Sequence, residues 1–156
     1  MTQDVFHMIV RAQAAYARCI DEDRLEEWPN HFHGFCIYKI TTAADYREGL
    51  EAGIIFANSR GMLTDRVSAL REANIYERQS YRHILGAPYI LSFERDEVRS
   101  ETSFLVVRIL QNGDTDLFAT GRYLDLYRVE DDGVKLNERV VVCDSSRIDT
   151  LLALPL

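Results

Sequence analysis

The sequence predicts an α+β domain whose curved, largely antiparallel sheet packs on N-terminal helices, and three observations predict it. Apolar residues recur at helical spacing in the first half of the chain. From Tyr81 onward the period changes to two. Two tight-turn dipeptides, Asn112-Gly113 and Asp132-Gly133, then cut the second half into strands that can fold back on one another. Helices first and a meander afterwards is the α+β order. Long antiparallel strands that must cover a helical layer curl around it.

The helical part begins with residues 3–20, where Val5, Ile9, Ala12, Tyr16 and Cys19 share one face. Residues 21–28 form a shorter helical turn that Pro29 stops. Residues 35–40 form a short strand, and residues 41–53 an irregular connection with one helical turn. A second long helix starts at Asn58 or Ser59, either of which can cap it. Leu63, Val67 and Leu70 mark its buried face, and Asn74 ends it.

Residues 81–93 are extended, with a bulge or bend at Gly86-Ala-Pro88. Residues 102–110 alternate, Phe104 and Val106 on one side and Leu105, Val107 and Ile109 on the other. Residues 117–129 return after the Asn112-Gly113 turn, with Gly121 as a bulge candidate. Residues 134–143 form the last strand, Val140 and Val142 facing away from Val141. The apolar tail 148–156 ends in Leu-Pro-Leu, and it packs either on its own sheet or on a partner.

Composition narrows the function. At 156 residues the chain suits a single domain, 1–156, with a substantial core. A net charge of −7 without a Lys/Arg-rich run opposes nucleic-acid binding. Cys19, Cys36 and Cys143 are odd in number and widely spaced, against a disulfide framework or a zinc or iron–sulfur site built from this chain alone. The N-terminus lacks a basic region followed by an apolar run, and no apolar run approaches the ~20 residues of a membrane span. A cytoplasmic protein without membrane contact is expected.

Candidate chemistry is sparse. His31-Phe-His33 on a strand would point both rings the same way, as a metal pair needs, but no third ligand is near in sequence. Arg82-His83 looks like a catalytic pair, yet alternation on a strand sends the two side chains to opposite faces. A hydrogen-bonded histidine in a core or interface is the better reading. Asp65 and Glu72 share a helical face near Arg66 and Arg71. Glu77, Arg78, Tyr81 and Arg82 follow as a polar, aromatic cluster of the composition that interfaces favour. Asp65, Arg66, Arg71, Glu77, Arg78, Tyr81, Arg82 and His83 are therefore the subunit-interface candidates. Nucleotide-loop, nucleophile-elbow and metal-hydrolase signatures are absent from the sequence. No catalytic, cofactor-binding or metal-binding residue is assigned.

Met62-Leu-x-x-Arg66-Val-x-x-Leu70 followed by Tyr81-Arg-His83 resembles the small (β) subunits of Rieske-type aromatic-ring-hydroxylating dioxygenases. The likeness runs over nearly the whole chain. It is closest to the branch acting on terephthalate, through Gly53-Ile-Ile, residues 68–78, Tyr81-Arg-His-Ile-Leu-Gly86, Tyr123-Leu-Asp, Val142-Cys-Asp-Ser and the Leu-Pro-Leu ending. One departure is local: Glu77-Arg-Gln-Ser80 stands where the family often has an acidic residue and a proline–serine step.

The resemblance implies a cone-shaped α+β fold of the ketosteroid-isomerase/cystatin-like kind. It implies a non-catalytic structural subunit in a hexamer of three large and three small subunits, dihydroxylating an aromatic carboxylate in aromatic catabolism. The large subunit would carry a 2Fe–2S Rieske cluster and a mononuclear Fe(II), with NADH supplying electrons through a reductase. With four histidines and no Cys-x-His or Cys-x-x-His pair, this chain cannot supply both metal sites alone. The rival expectation is a stand-alone cone-fold isomerase or dehydratase using Tyr16, Asp65 and His83 inside the cone.

Overall fold

The computed structural model describes residues 2–49, 53–73, 79–147 and 154–156. Helix α1 (Thr2–Asp21) opens the chain and buries Val5, Ile9, Gln13, Tyr16, Ala17, Cys19 and Ile20. This is the expected face, widened by Gln13 and Ala17. A 3-10 helix, Leu25–His31, follows with Pro29 inside it rather than after it. Leu25 and Trp28 are fully buried, and the Phe32 N–H bonds the Pro29 carbonyl at the end of the helix.

Strand β1 (Phe32–Thr42) is longer than its apolar run, and Thr42 caps α2 (Ala43–Arg47) by accepting from the Asp45 N–H. A three-residue strand, β2 (Ile55–Ala57), pairs with β1 and has no periodic signature. Helix α3 (Arg60–Ala73) is capped by Ser59, whose Oγ accepts from the Met62 N–H at 3.2 Å. Its buried face is Leu63 and Val67, with Leu70 packed alongside. The expected stop at Asn74 lies outside the described residues.

Strand β3 (Gln79–Leu85) and β4 (Tyr89–Glu94) are separated at Gly86-Ala-Pro88 as expected. Then come β5 (Glu97–Leu110), β6 (Thr115–Glu130) and β7 (Gly133–Cys143). Both turn dipeptides sit where the strands reverse, with Gly113 at φ 93° and Gly133 at φ 148°.

The seven strands form one sheet in the order β2-β1-β7-β6-β5-β3, with β4 also on β5. β1 and β7 run parallel, and the other pairs are antiparallel. Helix α1 packs against both β3 and β7, which β6 and β5 separate in the sheet. One helix reaches both only because the sheet curls, so the architecture is the expected cone on N-terminal helices.

Three extra residues help set the curvature. Leu91, Phe118 and Asn137 are each unpaired where the register shifts by one. Gly121 is not among them, contrary to expectation. It stays in register between Phe104 and Cys143, and a Cβ there would lie 2.0 Å from the Val142 carbonyl oxygen. The glycine is a point of close strand approach.

Candidate functional site inside the cone and along α3 and β3

The inner wall of the cone is aromatic, with a buried ion pair at its centre. Asp125 on β6 and Arg139 on β7 are cross-strand partners, so both side chains leave the sheet on one face. Arg139 Nε donates to Asp125 Oδ1 and Nη2 to Oδ2, both at 2.8 Å, and neither side chain is exposed. Nη2 also donates to the Tyr127 hydroxyl at 3.0 Å. The guanidinium stacks 4.2 Å from the Tyr16 ring centre and 3.9 Å from that of Tyr123. Burial is the largest single influence and opposes the charge on Arg139, but Asp125, Tyr127 and Tyr16 together outweigh it, and the pKa stands well above its ordinary value. Beside this cluster, Gln13 Nε2 of α1 donates to Thr102 Oγ1 of β5 at 2.8 Å.

The wall continues through Trp28, Phe32 and Tyr38, which meet edge to face at centroid distances of 5.1–5.8 Å. Leu154, Pro155 and Leu156 enter from the other end of the chain and are buried. The Tyr16 hydroxyl donates to the Leu156 carbonyl at 2.8 Å. The Tyr38 hydroxyl donates to the same carbonyl and accepts from the Leu156 N–H, both at 3.1 Å. Burial raises the pKa of both tyrosines, so they remain hydrogen-bond donors. The described end of the tail thus packs within its own chain.

Tyr16, Asp65 and His83 do not form an acid–base set. Tyr16 is committed to Leu156, and Asp65 is exposed on α3. His83 Nδ1 lies 2.7 Å from Asp21 Oδ1, and its backbone N–H donates to Asp21 Oδ2 at 2.9 Å. That clamp ties the end of α1 to β3 and buries the ring completely.

The other candidates divide by role. Tyr81 is buried and stacks on Phe118 at 5.2 Å. Arg71 fastens α3 to the 3-10 helix region through Glu26 at 2.7 Å and Asp23 at 2.9 Å. Arg66 is half-buried, its Nε without a hydrogen bond among the described residues. Arg82 is exposed, on the opposite face of β3 from His83 as strand alternation requires. Glu77 and Arg78 lie outside the described residues.

The outer face of the sheet carries a cross-strand row of Tyr89, Glu101, Leu124, Val140, Lys39 and Phe56. Tyr89 is 68% and Phe56 52% exposed. Ile84 is exposed in the next stretch, opposite Leu105.

His31 closes the 3-10 helix and His33 lies on β1, 4.0 Å from Glu130, so strand alternation does not align the two rings. Burial, with Lys135 and Arg139 adding to it, lowers the His31 pKa to about 4. Burial pushes the Cys19 and Cys143 thiols up to about 12. Among the described residues no group of three or more His, Cys, Asp or Glu could hold a metal ion. The described histidines and cysteines are not grouped as a Rieske cluster or a mononuclear iron would need. No described helix is long and apolar enough to cross a membrane.

Sequence reasoning missed Gln13, Asp125, Tyr127 and Arg139. A signal existed: on β6 the inward phase reads Tyr123, Asp125, Tyr127, a carboxylate between two aromatics.

Residues 15–150 match the ring-hydroxylating beta-subunit family. The chain is 51% identical to beta subunit 1 of the terminal oxygenase component of terephthalate 1,2-dioxygenase from Comamonas sp., over 95% of this chain and 96% of that protein. It is 35% identical to the small subunit of anthranilate 1,2-dioxygenase from Burkholderia cepacia, over 100% of this chain and 98% of that one. A crystal structure of the beta subunit of a proposed aromatic-ring-hydroxylating dioxygenase from Novosphingobium aromaticivorans superposes with TM-score 0.92 at 36% identity, covering 99% of each chain. A curved sheet closed on aromatic side chains, matched end to end in sequence and shape, places this chain in the family of ring-hydroxylating dioxygenase beta subunits.

Proposed function

We propose that this chain, as a single domain, is the non-catalytic structural small subunit of a terminal oxygenase that dihydroxylates terephthalate. The cone interior carries the structural part of this reading. The Tyr16 and Tyr38 hydroxyls are engaged with Leu156, and the Tyr127 hydroxyl with the Asp125–Arg139 ion pair. The substrate rests on the 51% identity to the Comamonas terephthalate enzyme's beta subunit.

The partner is a large subunit, three of each forming the oxygenase. The large subunit holds the Rieske cluster and the mononuclear iron that activates dioxygen, and a reductase delivers electrons from NADH. The complex works in the cytoplasm. Asp65, Arg66, Arg82 and the exposed outer face of the sheet meet the large subunit. Glu77 and Arg78 belong to the same cluster in sequence. Arg71, Tyr81 and His83 support that surface from within the fold.

Co-expression with the large subunit, purified through a tag on the large subunit, tests this. The small subunit co-elutes in equal amount, iron is present, and terephthalate is oxidised once reductase and NADH are added. The isolated small subunit oxidises nothing. Turnover of a small substrate by the isolated chain without iron overturns the reading.

A further inference from the structure

Leu154 and Leu156 join a buried cluster that draws aromatic residues from four separate elements. Tyr16 stands on α1, Trp28 on the 3-10 helix, Tyr38 on β1 and Tyr123 on β6. Two of these hydroxyls converge on the main-chain N–H and oxygen of one residue, Leu156, whose side chain is fully buried. The Tyr123 hydroxyl, buried in the same cluster, has no hydrogen bond among the described residues. Apolar and aromatic walls with a few converging polar groups are how a ligand pocket is lined.

We propose that the cone interior is a peptide-binding slot whose resident ligand is this chain's own Leu154–Leu156, a plug that keeps small molecules out. The slot holds its shape without the plug. Its aromatic rings brace one another edge to face, and the Asp125–Arg139 pair ties β6 to β7 beside it. A rigid apolar wall does not collapse when its filling is removed, and such cavities accept apolar guests. The Tyr16 and Tyr38 hydroxyls, deprived of Leu156, then select guests with an accepting carbonyl.

The test uses the co-expressed oxygenase complex carrying Leu154→Gly, Pro155→Ser and Leu156→Gly together. The small subunit's Tm falls by about 5–15 °C. The peptide acetyl-Leu-Pro-Leu binds one per small subunit by calorimetry and restores the Tm. Acetyl-Gly-Ser-Gly does neither. The dye 8-anilinonaphthalene-1-sulfonate binds the variant and is displaced by the Leu-Pro-Leu peptide. The unsubstituted complex binds neither probe. An unchanged Tm with no binding of peptide or dye overturns the proposal.

A second variant serves if the first fails to assemble. Tyr16→Phe with Tyr38→Phe keeps the apolar walls and removes the hydroxyls. Amide hydrogen exchange at Leu156 then quickens by about tenfold, because its N–H has lost its acceptor. Unchanged protection at Leu156 overturns the plug.

Discussion

On the inner face of the sheet Asp125 and Arg139 form an ion pair whose side chains are wholly buried, while on the outer face Tyr89, Phe56 and Ile84 are large and exposed. The usual inside–outside rule is inverted at both places, for different reasons. Inside, the charges complete one another and orient the aromatic rings around them. Outside, the apolar side chains have no such completion within the described chain, and burying them requires a second surface. The inner face is finished by this polypeptide. The outer face belongs to a molecule that works as one part of an oxygenase.

The contrast breaks first at Arg139. Arg139→Met leaves Asp125 buried without its counter-charge, a loss of about 3–5 kcal/mol. Urea unfolding measures it. Arg139→Met with Asp125→Leu recovers most of the loss, since well-packed apolar pairs replace buried ion pairs at little cost. A single variant within experimental error of the parent means the pair is not what organises the inner wall.

Gly121→Ala probes the same face through the backbone. The added Cβ meets the Val142 carbonyl oxygen at 2.0 Å and the Cys143 Cα at 3.0 Å, so β6 and β7 must separate. The expected destabilisation is about 1–3 kcal/mol, read in the same unfolding experiment.

These two residues also show where the sequence stopped being legible. Alternation on β5 and the two turn dipeptides were enough to lay out the meander, because both are local signals. The Asp125–Arg139 pair is not local. Counting back from the Asp132-Gly133 turn in plain register puts Asp125 opposite Glu138, a repulsive pair. Asn137 is the extra residue that shifts the ladder and brings Arg139 opposite instead. No pattern in composition announces that bulge. β2 was hidden for another reason: three residues are too few to establish a period. Of the interface candidates, strand alternation sorted Arg82 from His83, but that Arg71 is engaged with Asp23 and Glu26 is tertiary information.

His31 sharpens the comparison through pH. Burial first, and Lys135 and Arg139 next, lower its pKa from 6.5 to about 4 in the folded chain. Below pH 6.5 the unfolded chain takes up a proton that the folded chain refuses until about pH 4. Stability therefore falls as pH drops through that window, and the loss is complete below it. The lowering corresponds to about 3 kcal/mol, reduced to about 1–2 kcal/mol for a ring still partly exposed. His31→Asn gives a shallower fall between pH 6.5 and 4, measured as the difference between the two unfolding curves. Identical slopes place His31 in solvent rather than in the wall.

The smallest effect on stability is expected on the outer face, and it separates folding from assembly. Tyr89→Ser and Arg82→Ala remove exposed side chains, so each changes unfolding free energy by no more than about 0.5 kcal/mol. Their effect appears instead in how much small subunit the large subunit retains. Loss of about 1 kcal/mol of contact at each weakens retention by about fivefold. Turnover per assembled complex stays as in the parent, because neither side chain takes part in the chemistry. A variant that folds and assembles like the parent but loses turnover gives Arg82 a role in the chemistry. A variant that folds normally and is retained in full moves the large subunit off this face.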